Sequence, residues 1–143
     1  MASILVQLLT SKPKEGVSLL VHLLDRAIEL HTGAVEGAGT QLEGILAVLA
    51  AAVAVDSQGR AAQAVMLFAR ELTAFLHAAR NTTRRLVMEI FSSVLQTSSS
   101  GQAGPDAQAC SVAFIVLVGA LSDKDAGLRA KALGSLEKHA ALL

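Results

Sequence analysis

Residues 112–143 hold the pattern that most constrains how this chain can fold. An apolar stretch over residues 112–121 leads into a short acidic turn, Ser122-Asp123-Lys124-Asp125. A second stretch opens at Gly127 and then repeats apolar residues at helical spacing, Leu128, Ala132 and Leu136. Because residues three and four positions apart share one face of a helix, both stretches are predicted to be helices with an apolar face. Such a helical hairpin needs further helices to cover its apolar faces.

The rest of the chain divides in the same way at its turn and cap signals. Seven helical segments are predicted, of which the first five cover about residues 3–10, 14–31, 40–55, 60–79 and 82–96. Pro13 separates the first two segments, because proline fits the first turn of a helix but not its interior. Thr40 and Glu43 have the capping-box pattern at the start of the third segment, and Asn81 is a candidate cap for the fifth.

Loops are predicted between these segments. The glycines at 33, 37 and 39, residues 56–59 and residues 97–104 are typical loop sequences, and Pro105 is a favoured first residue for the sixth helix. Residues 114–118 could be a buried strand if they stood alone, but they lie in a longer Ala- and Leu-rich segment. No stretch alternates apolar and polar residues over the length of a strand, so the predicted fold class is all-α.

The helices pair off with a regular period. After the first segment, the second members of the pairs open near Thr40, Asn81 and Asp123, which gives spacings of 41 (81 − 40) and 42 (123 − 81) residues. Two of these second members also align at an offset of 45 residues: Thr83, Arg84, Val87 and Phe91 match Leu128, Arg129, Ala132 and Leu136. Periods of roughly 40–47 residues are typical of stacked two-helix repeats.

Composition agrees with one helical domain over residues 1–143. The chain is 52% hydrophobic and only 3% aromatic, and its apolar residues are mainly Leu, Ala and Val. Its 12 basic and 12 acidic residues leave no net charge to attract nucleic acid or an anionic membrane. No secretory signal is predicted, and the apolar segments are shorter than the roughly 20 residues that span a bilayer. The single Cys110 excludes an internal disulfide and is interpreted as a small core residue.

Residues that could carry chemistry are scattered. The four histidines, His22, His31, His77 and His139, have no second His or Cys at helical metal-pair spacing and are interpreted as snorkelling or capping groups at helix ends. Asp123 and Asp125 lack the glycine and glutamate of a calcium loop. The glycines follow a helix rather than a strand and do not form a phosphate loop. We therefore expect no catalytic residue, no metal and no cofactor.

The acidic turn followed by Leu128, Arg129, Ala132 and Leu136 resembles the second half of a HEAT repeat, the two-helix unit of an α-solenoid. The resemblance implies about three stacked helix pairs after a leading half-repeat, in a scaffold that binds other proteins. It also implies that Asp125 and Arg129 belong to a ladder that links neighbouring repeats. The alternative is a solvated surface pair, since the two residues are one helical turn apart.

Three segments extend the resemblance within that family. Residues 3–13, residues 84–91 and residues 121–136 look like parts of the D-type HEAT subunits of condensin II, which act in mitotic chromosome condensation. This resemblance implies kleisin- and SMC-type protein partners and a nuclear location; without it we expect a cytoplasmic one. It also suggests that the chain is a fragment or short isoform of a longer solenoid, whose exposed terminal helices would self-associate.

The arginines offer a second kind of contact. Arg80, Arg84 and Arg85 cluster at one helix start, and Arg129 joins them if the two aligned helices lie side by side. Such an edge could contact phosphates or an acidic partner, although no aromatic residues interleave the arginines to stack on bases. The alternative is a solvated face with local pairs such as Arg85–Glu89. Protein binding is favoured over DNA binding.

One alternative architecture stays open from the sequence. A compact helical bundle could use an apolar groove to bind a helix, a second copy or a small apolar ligand. A solenoid packs successive helix pairs in order, whereas a bundle brings its first and last helices together.

Overall fold

The structure, a computed structural model, describes residues 2–33, 38–55, 60–77, 81–99 and 107–142. Every regular element in these residues is helical, which confirms the all-α class. The helices are α1 (Ala2–Ser11), α2 (Pro13–Gly33), α3 (Ala38–Val55), α4 (Arg60–Met66), α5 (Ala69–Ala74), a 3₁₀ helix (Phe75–His77), α6 (Asn81–Ser99), α7 (Ala107–Ala120) and α8 (Ala126–Leu142).

The fourth predicted segment is wrong as one continuous helix. The amides of Leu67 and Phe68 bond to carbonyls only three residues back, on Ala64 and Val65, at 3.2 and 2.9 Å. The chain therefore tightens into a 3₁₀-type turn between α4 and α5. This turn leaves Leu67 79% exposed, while Leu72 and Phe75 beyond it are buried. No glycine or proline marks the break, so the sequence gives no local signal for it.

Several predicted caps and loops also differ. Thr40 lies inside α3, which already begins at Ala38, and Asn81 is the first residue of α6, not a cap before it. Residues 97–99 belong to α6, and Gly33 and Gly39 lie within α2 and α3. Residues 114–118 are helical, so the strand alternative is excluded. Gly37, residues 56–59, Arg80, residues 100–104 and Pro105 lie outside the described residues.

The helices pack mainly in chain order. α2 packs against α3, α6 against α7, and α7 against α8, while α1 packs on both α2 and α3. The second members of the predicted pairs also lie side by side, since α6 packs against α3 on one side and α8 on the other. Within the described part of the chain, α1 and α8 do not pack extensively against each other.

One main core runs through most of this stack. It is built from leucines, alanines and valines on α1–α4 with Leu72, Phe75, Phe91 and further residues of α6 and α7. A smaller cluster of Met88, Ala120, Leu128 and Ala132 joins α6, α7 and α8. Two of the four aligned pairs have the same environment, because Thr83 and Leu128 are both buried, as are Val87 and Ala132.

In the described ranges, none of the helices combines the length and apolarity that a bilayer crossing requires.

Candidate functional site

The acidic turn between α7 and α8 is tied to the start of α6. Asp123 accepts two hydrogen bonds from Arg84, from Nε at 2.9 Å and from Nη2 at 3.3 Å. The two side chains are only 4% (Arg84) and 7% (Asp123) exposed. Asn81 donates from Nδ2 to Asp125 Oδ2 at 2.9 Å. We call these four residues the acidic-turn clamp, because they join two consecutive helix pairs.

Both aspartates also organise their own turn. Asp123 Oδ1 accepts the backbone amide of Asp125 at 2.8 Å. Asp125 Oδ1 accepts the amide of Leu128 at 3.1 Å, which is the bond of an N-cap residue to the third residue of α8. The turn therefore holds its acids in place for α6 and starts α8 at the same time.

These contacts lower the pKa of both carboxyl groups. Burial raises the pKa of Asp123, but the Asp125 amide, the hydrogen bond from Arg84 and its positive charge outweigh that effect and leave the pKa below its usual value. The pKa of Asp125 is lowered first by the hydrogen bond from Asn81 and then by the Leu128 amide. The clamp is thus built around two ionised carboxylates.

The predicted site residues have different environments. Arg84 is buried in the clamp, whereas its sequence neighbour Arg85 is exposed. Arg129 is exposed and donates from Nη1 to the carbonyl oxygen of Asp123 at 2.6 Å, so its described bond stays within its own turn. Asp125 does contact the preceding helix pair, but through Asn81 and not through Arg129. The structure thus brings Arg84 and Arg129 together at Asp123, and Arg80 lies outside the described residues.

Sequence reasoning missed Asp123 and Asn81 as parts of this link. A signal was available: the Asp in the turn that opens the second helix of one pair lies 39 residues after an Arg on the second helix of the preceding pair (123 − 84), which is close to the repeat period. The residues were identified as an acid pair and a helix cap, and only their partners were not anticipated.

A groove of about 640 Å³ lies across the second members of the three helix pairs. We call it the α3–α6–α8 groove. Its lining comes from Ala47, Ala50, Ala51 and Ala54 of α3, Leu86, Glu89, Ser92, Ser93 and Gln96 of α6, and Lys131, Gly134, Ser135 and Lys138 of α8. From Leu86 to Gln96 it extends roughly 15 Å along the helix axis.

Polar contacts join α6 to α8 along this groove. Lys131 Nζ lies 3.1 Å from Glu89 Oε1, with both side chains more than one third exposed. One turn further along, Ser92 Oγ and Ser135 Oγ are 2.8 Å apart. The two contacts step in the same direction on both helices, so α6 and α8 run parallel.

The groove presents two unlike walls. The α3 wall consists of alanines, whose small side chains allow a ligand backbone to come close, and it carries no charge. The α8 wall carries Lys131, which is paired with Glu89, and Lys138. The lining therefore has one positive charge in excess, next to hydroxyl and amide groups that can donate and accept hydrogen bonds.

The described residues hold no group of three or more His, Cys, Asp or Glu side chains that could bind a metal ion. His139 is buried and its ring lies 6.1 Å from that of Phe114, so it is a packed residue and not a snorkelling one. Cys110 is half-buried against the main core, in agreement with its interpretation as a core residue.

Comparison with known proteins gives no assignment. No protein-family model, no curated protein and no solved structure matches this chain significantly.

Proposed function

We propose that this chain is a non-enzymatic HEAT-like solenoid module that binds a protein partner along the α3–α6–α8 groove. The observation that carries the proposal is the groove itself, a continuous surface to which three consecutive helix pairs contribute one helix each. Stacked repeats create extended binding surfaces of this kind, because the same element of each unit lines the same side.

Two further observations support the solenoid architecture. The side-by-side order α3, α6, α8 is the one that stacked two-helix repeats require. The acidic-turn clamp joins consecutive pairs through a buried Arg–Asp contact, which is the kind of link that the HEAT resemblance implies. The alternative of a compact bundle would require the first and last helices to meet, and α1 and α8 have no extensive contact among the described residues.

The lining of the groove favours a partner segment with a small apolar face and acidic residues beside it. Alanines leave room for a helix or an extended strand to approach closely, and Lys138 supplies a positive charge at the α8 wall. Serine and glutamine side chains can bond to the polar groups of the segment. Charge complementarity of this size sets orientation and association rate more than affinity.

A protein partner is favoured over DNA by the state of the arginines. Arg84 is buried and paired with Asp123, so its charge is largely satisfied within the chain. Of the arginines of the predicted edge that the structure describes, Arg85 and Arg129 remain exposed, and two charges are too few for strong phosphate binding.

The condensin resemblance gives a narrower form of the proposal. In that form the partner is a kleisin or SMC-type chain, the location is nuclear, and the module serves chromosome condensation. Binding of a recombinant kleisin along the groove would support the condensin-type proposal. Selective binding of unrelated acidic segments would support only the general proposal of a protein-binding module.

The proposal is tested by selecting, from a display library of random short peptides, those that bind the full chain. We expect the enriched peptides to combine small apolar and acidic residues. Ala51→Trp, which fills the α3 wall, should weaken their binding by about tenfold or more. Ala130→Trp is the matched control: it places the same side chain at an exposed alanine of α8 outside the groove, and it should leave binding unchanged.

The contribution of the Lys138 charge to peptide binding is tested in the same assay. Lys138→Glu should weaken the acidic peptides, whereas Lys14→Glu, on an exposed part of α2, should not. The proposal fails if no peptide is enriched over background, or if the enriched peptides bind the Ala51→Trp variant as tightly as the original chain.

A further inference from the structure

Helix α7 has an exposed face that its composition does not explain. Its sequence, AQACSVAFIVLVGA, contains no charged residue, and a helix that is apolar all round is normally buried. Three large apolar side chains of α7 are nevertheless exposed, Phe114 (42%), Ile115 (68%) and Val118 (43%), and Leu121 (36%) continues the row in the turn that follows the helix. Their spacing places them along one face of the helix. We call these four residues the α7 stripe.

A hollow lies directly beside this stripe. A cavity of about 530 Å³ opens between α7 and the 3₁₀ helix, with Ile115 on its rim and Leu76, Met88 and Ala120 among its apolar lining. Gly119 also lines it, and a side-chain carbon added there would meet nothing within 4 Å. One surface of the chain thus carries an apolar ridge next to a hollow of mixed lining, which also includes the paired Arg84 and Asp123 and the charged Lys124.

We propose that the α7 stripe binds the α7 stripe of a second copy of this chain, in an antiparallel pair about a two-fold axis. A two-fold interface uses the same patch on both copies, so the patch must be complementary to itself. Reversing the direction of α7 brings Ile115 opposite Val118, Phe114 opposite Gly119 and Leu121 opposite Val112, with Ser111 and Ser122 at the two ends.

The absence of charge argues for this occupant. A charged partner surface would lose its hydration against the α7 stripe without gaining a counter-charge. The α7 stripe of a second copy offers an uncharged surface of matching length.

The exposed area predicts how strong the contact is. The four side chains expose on the order of 300 Å², which is within the range of the largest apolar patch on a monomer. A stable dimer buries about 800 Å² per partner, so the stripe and the adjoining hollow favour a reversible dimer that dissociates at roughly micromolar concentration.

The test is sedimentation equilibrium of the full chain over concentrations from about 1 to about 200 µM, the range in which a micromolar dimer dissociates. We expect a monomer–dimer equilibrium that Val118→Glu shifts by at least tenfold towards monomer, because the two-fold axis brings the two new carboxylates close together. Val55→Glu is the matched control: Val55 is also an exposed valine at the end of a helix, but it lies on α3, and the variant should keep the dimer.

A mixture of variants distinguishes loss of this interface from loss of folding as the cause of dissociation. Val118→Glu and Val118→Lys should each be monomeric with unchanged helix content by circular dichroism, and an equimolar mixture should associate again because the charges become opposite. A purely monomeric original chain at the highest concentration would overturn the proposal. So would a Val118→Glu variant that still dimerises like the original chain, or a mixture that stays monomeric.

Discussion

Arg84 and Arg85 are neighbours in the sequence with opposite environments. Arg84 is buried in the acidic-turn clamp, and Arg85 is exposed on the same helix. Arg84→Ala leaves Asp123 without its counter-charge in a mostly buried position, so we expect a loss of about 2–4 kcal/mol in the free energy of unfolding. Arg85→Ala should change it by less than about 0.5 kcal/mol. Urea unfolding followed by circular dichroism measures both values.

A double variant identifies the source of that loss. Arg84→Ala combined with Asp123→Ala should destabilise the chain by clearly less than the sum of the two single changes, because both remove the same contact. Additive losses would contradict the clamp, as would equal losses for Arg84→Ala and Arg85→Ala.

The clamp also predicts how stability depends on pH. The pKa values of Asp123 and Asp125 are both lowered from 3.8 by folding, so the native chain holds these protons less readily than the unfolded chain. Their contribution to stability is therefore complete above about pH 4 and is lost as the pH falls towards the lower, folded values. Replacing both residues with Asn should flatten the decrease in urea midpoint between about pH 6 and about pH 3. An unchanged decrease in this double variant would be inconsistent with the assigned contacts.

The sequence predicted which residues lie at the acidic turn better than it predicted which residues they contact. The repeat alignment identified Arg84 and Arg129 as equivalent, and both do contact the acidic turn. It could not predict that only Arg84 becomes buried, because burial depends on how α6 and the turn approach each other in space. Side-chain partners 39 and 44 residues apart, as in Arg84–Asp123 and Asn81–Asp125, depend on the helix packing and are not set by local spacing.

At the scale of elements, the close crossing of α1 and α2 depends on Gly16. A side-chain carbon at Gly16 would lie 2.6 Å from the Leu9 backbone nitrogen and 2.9 Å from the Leu8 carbonyl carbon. Because both atoms belong to the backbone, α1 would have to move. We expect Gly16→Ala to cost about 1–3 kcal/mol in the free energy of unfolding.

Gly134 provides the matched control for this change. It also lies within a helix, but an added carbon there would meet nothing within 4 Å. Gly134→Ala should therefore stabilise the chain by about 0.5–1 kcal/mol, because alanine is the better helix former. Thermal unfolding compares the two variants, and a Gly16→Ala variant as stable as the original chain would show that α1 packs differently.

The presence of each helix was predictable from the spacing of its apolar residues, whereas the positions of the helix ends were less predictable. The segments with strong periodicity, such as α2 and α6, were found with boundaries that differ by a few residues. The break between α4 and α5 was missed because no proline or glycine causes it. There the tertiary requirement to bury Leu72 and Phe75 decides the backbone path, while Leu67 is left exposed.

For the whole molecule, the order of the helices in space carries the functional proposal. The period of 41 and 42 residues (81 − 40 and 123 − 81) predicted that second members of the pairs would lie side by side, and α3, α6 and α8 do so. The groove between them could not be predicted in detail. Its lining combines residues from three distant parts of the chain, and an alanine wall gives no signal in a sequence that is rich in alanine throughout.

The most direct test of the central claim is an amide NMR map of the full chain titrated with an enriched acidic peptide. We expect the chemical-shift changes to concentrate on the α3–α6–α8 groove, at Ala47, Ala51, Ser135 and Lys138, with little change at Arg85 or on the α7 stripe. Shift changes centred on Arg85 and Arg129, or on α7, with the groove unperturbed, would contradict the claim that this groove is the binding surface.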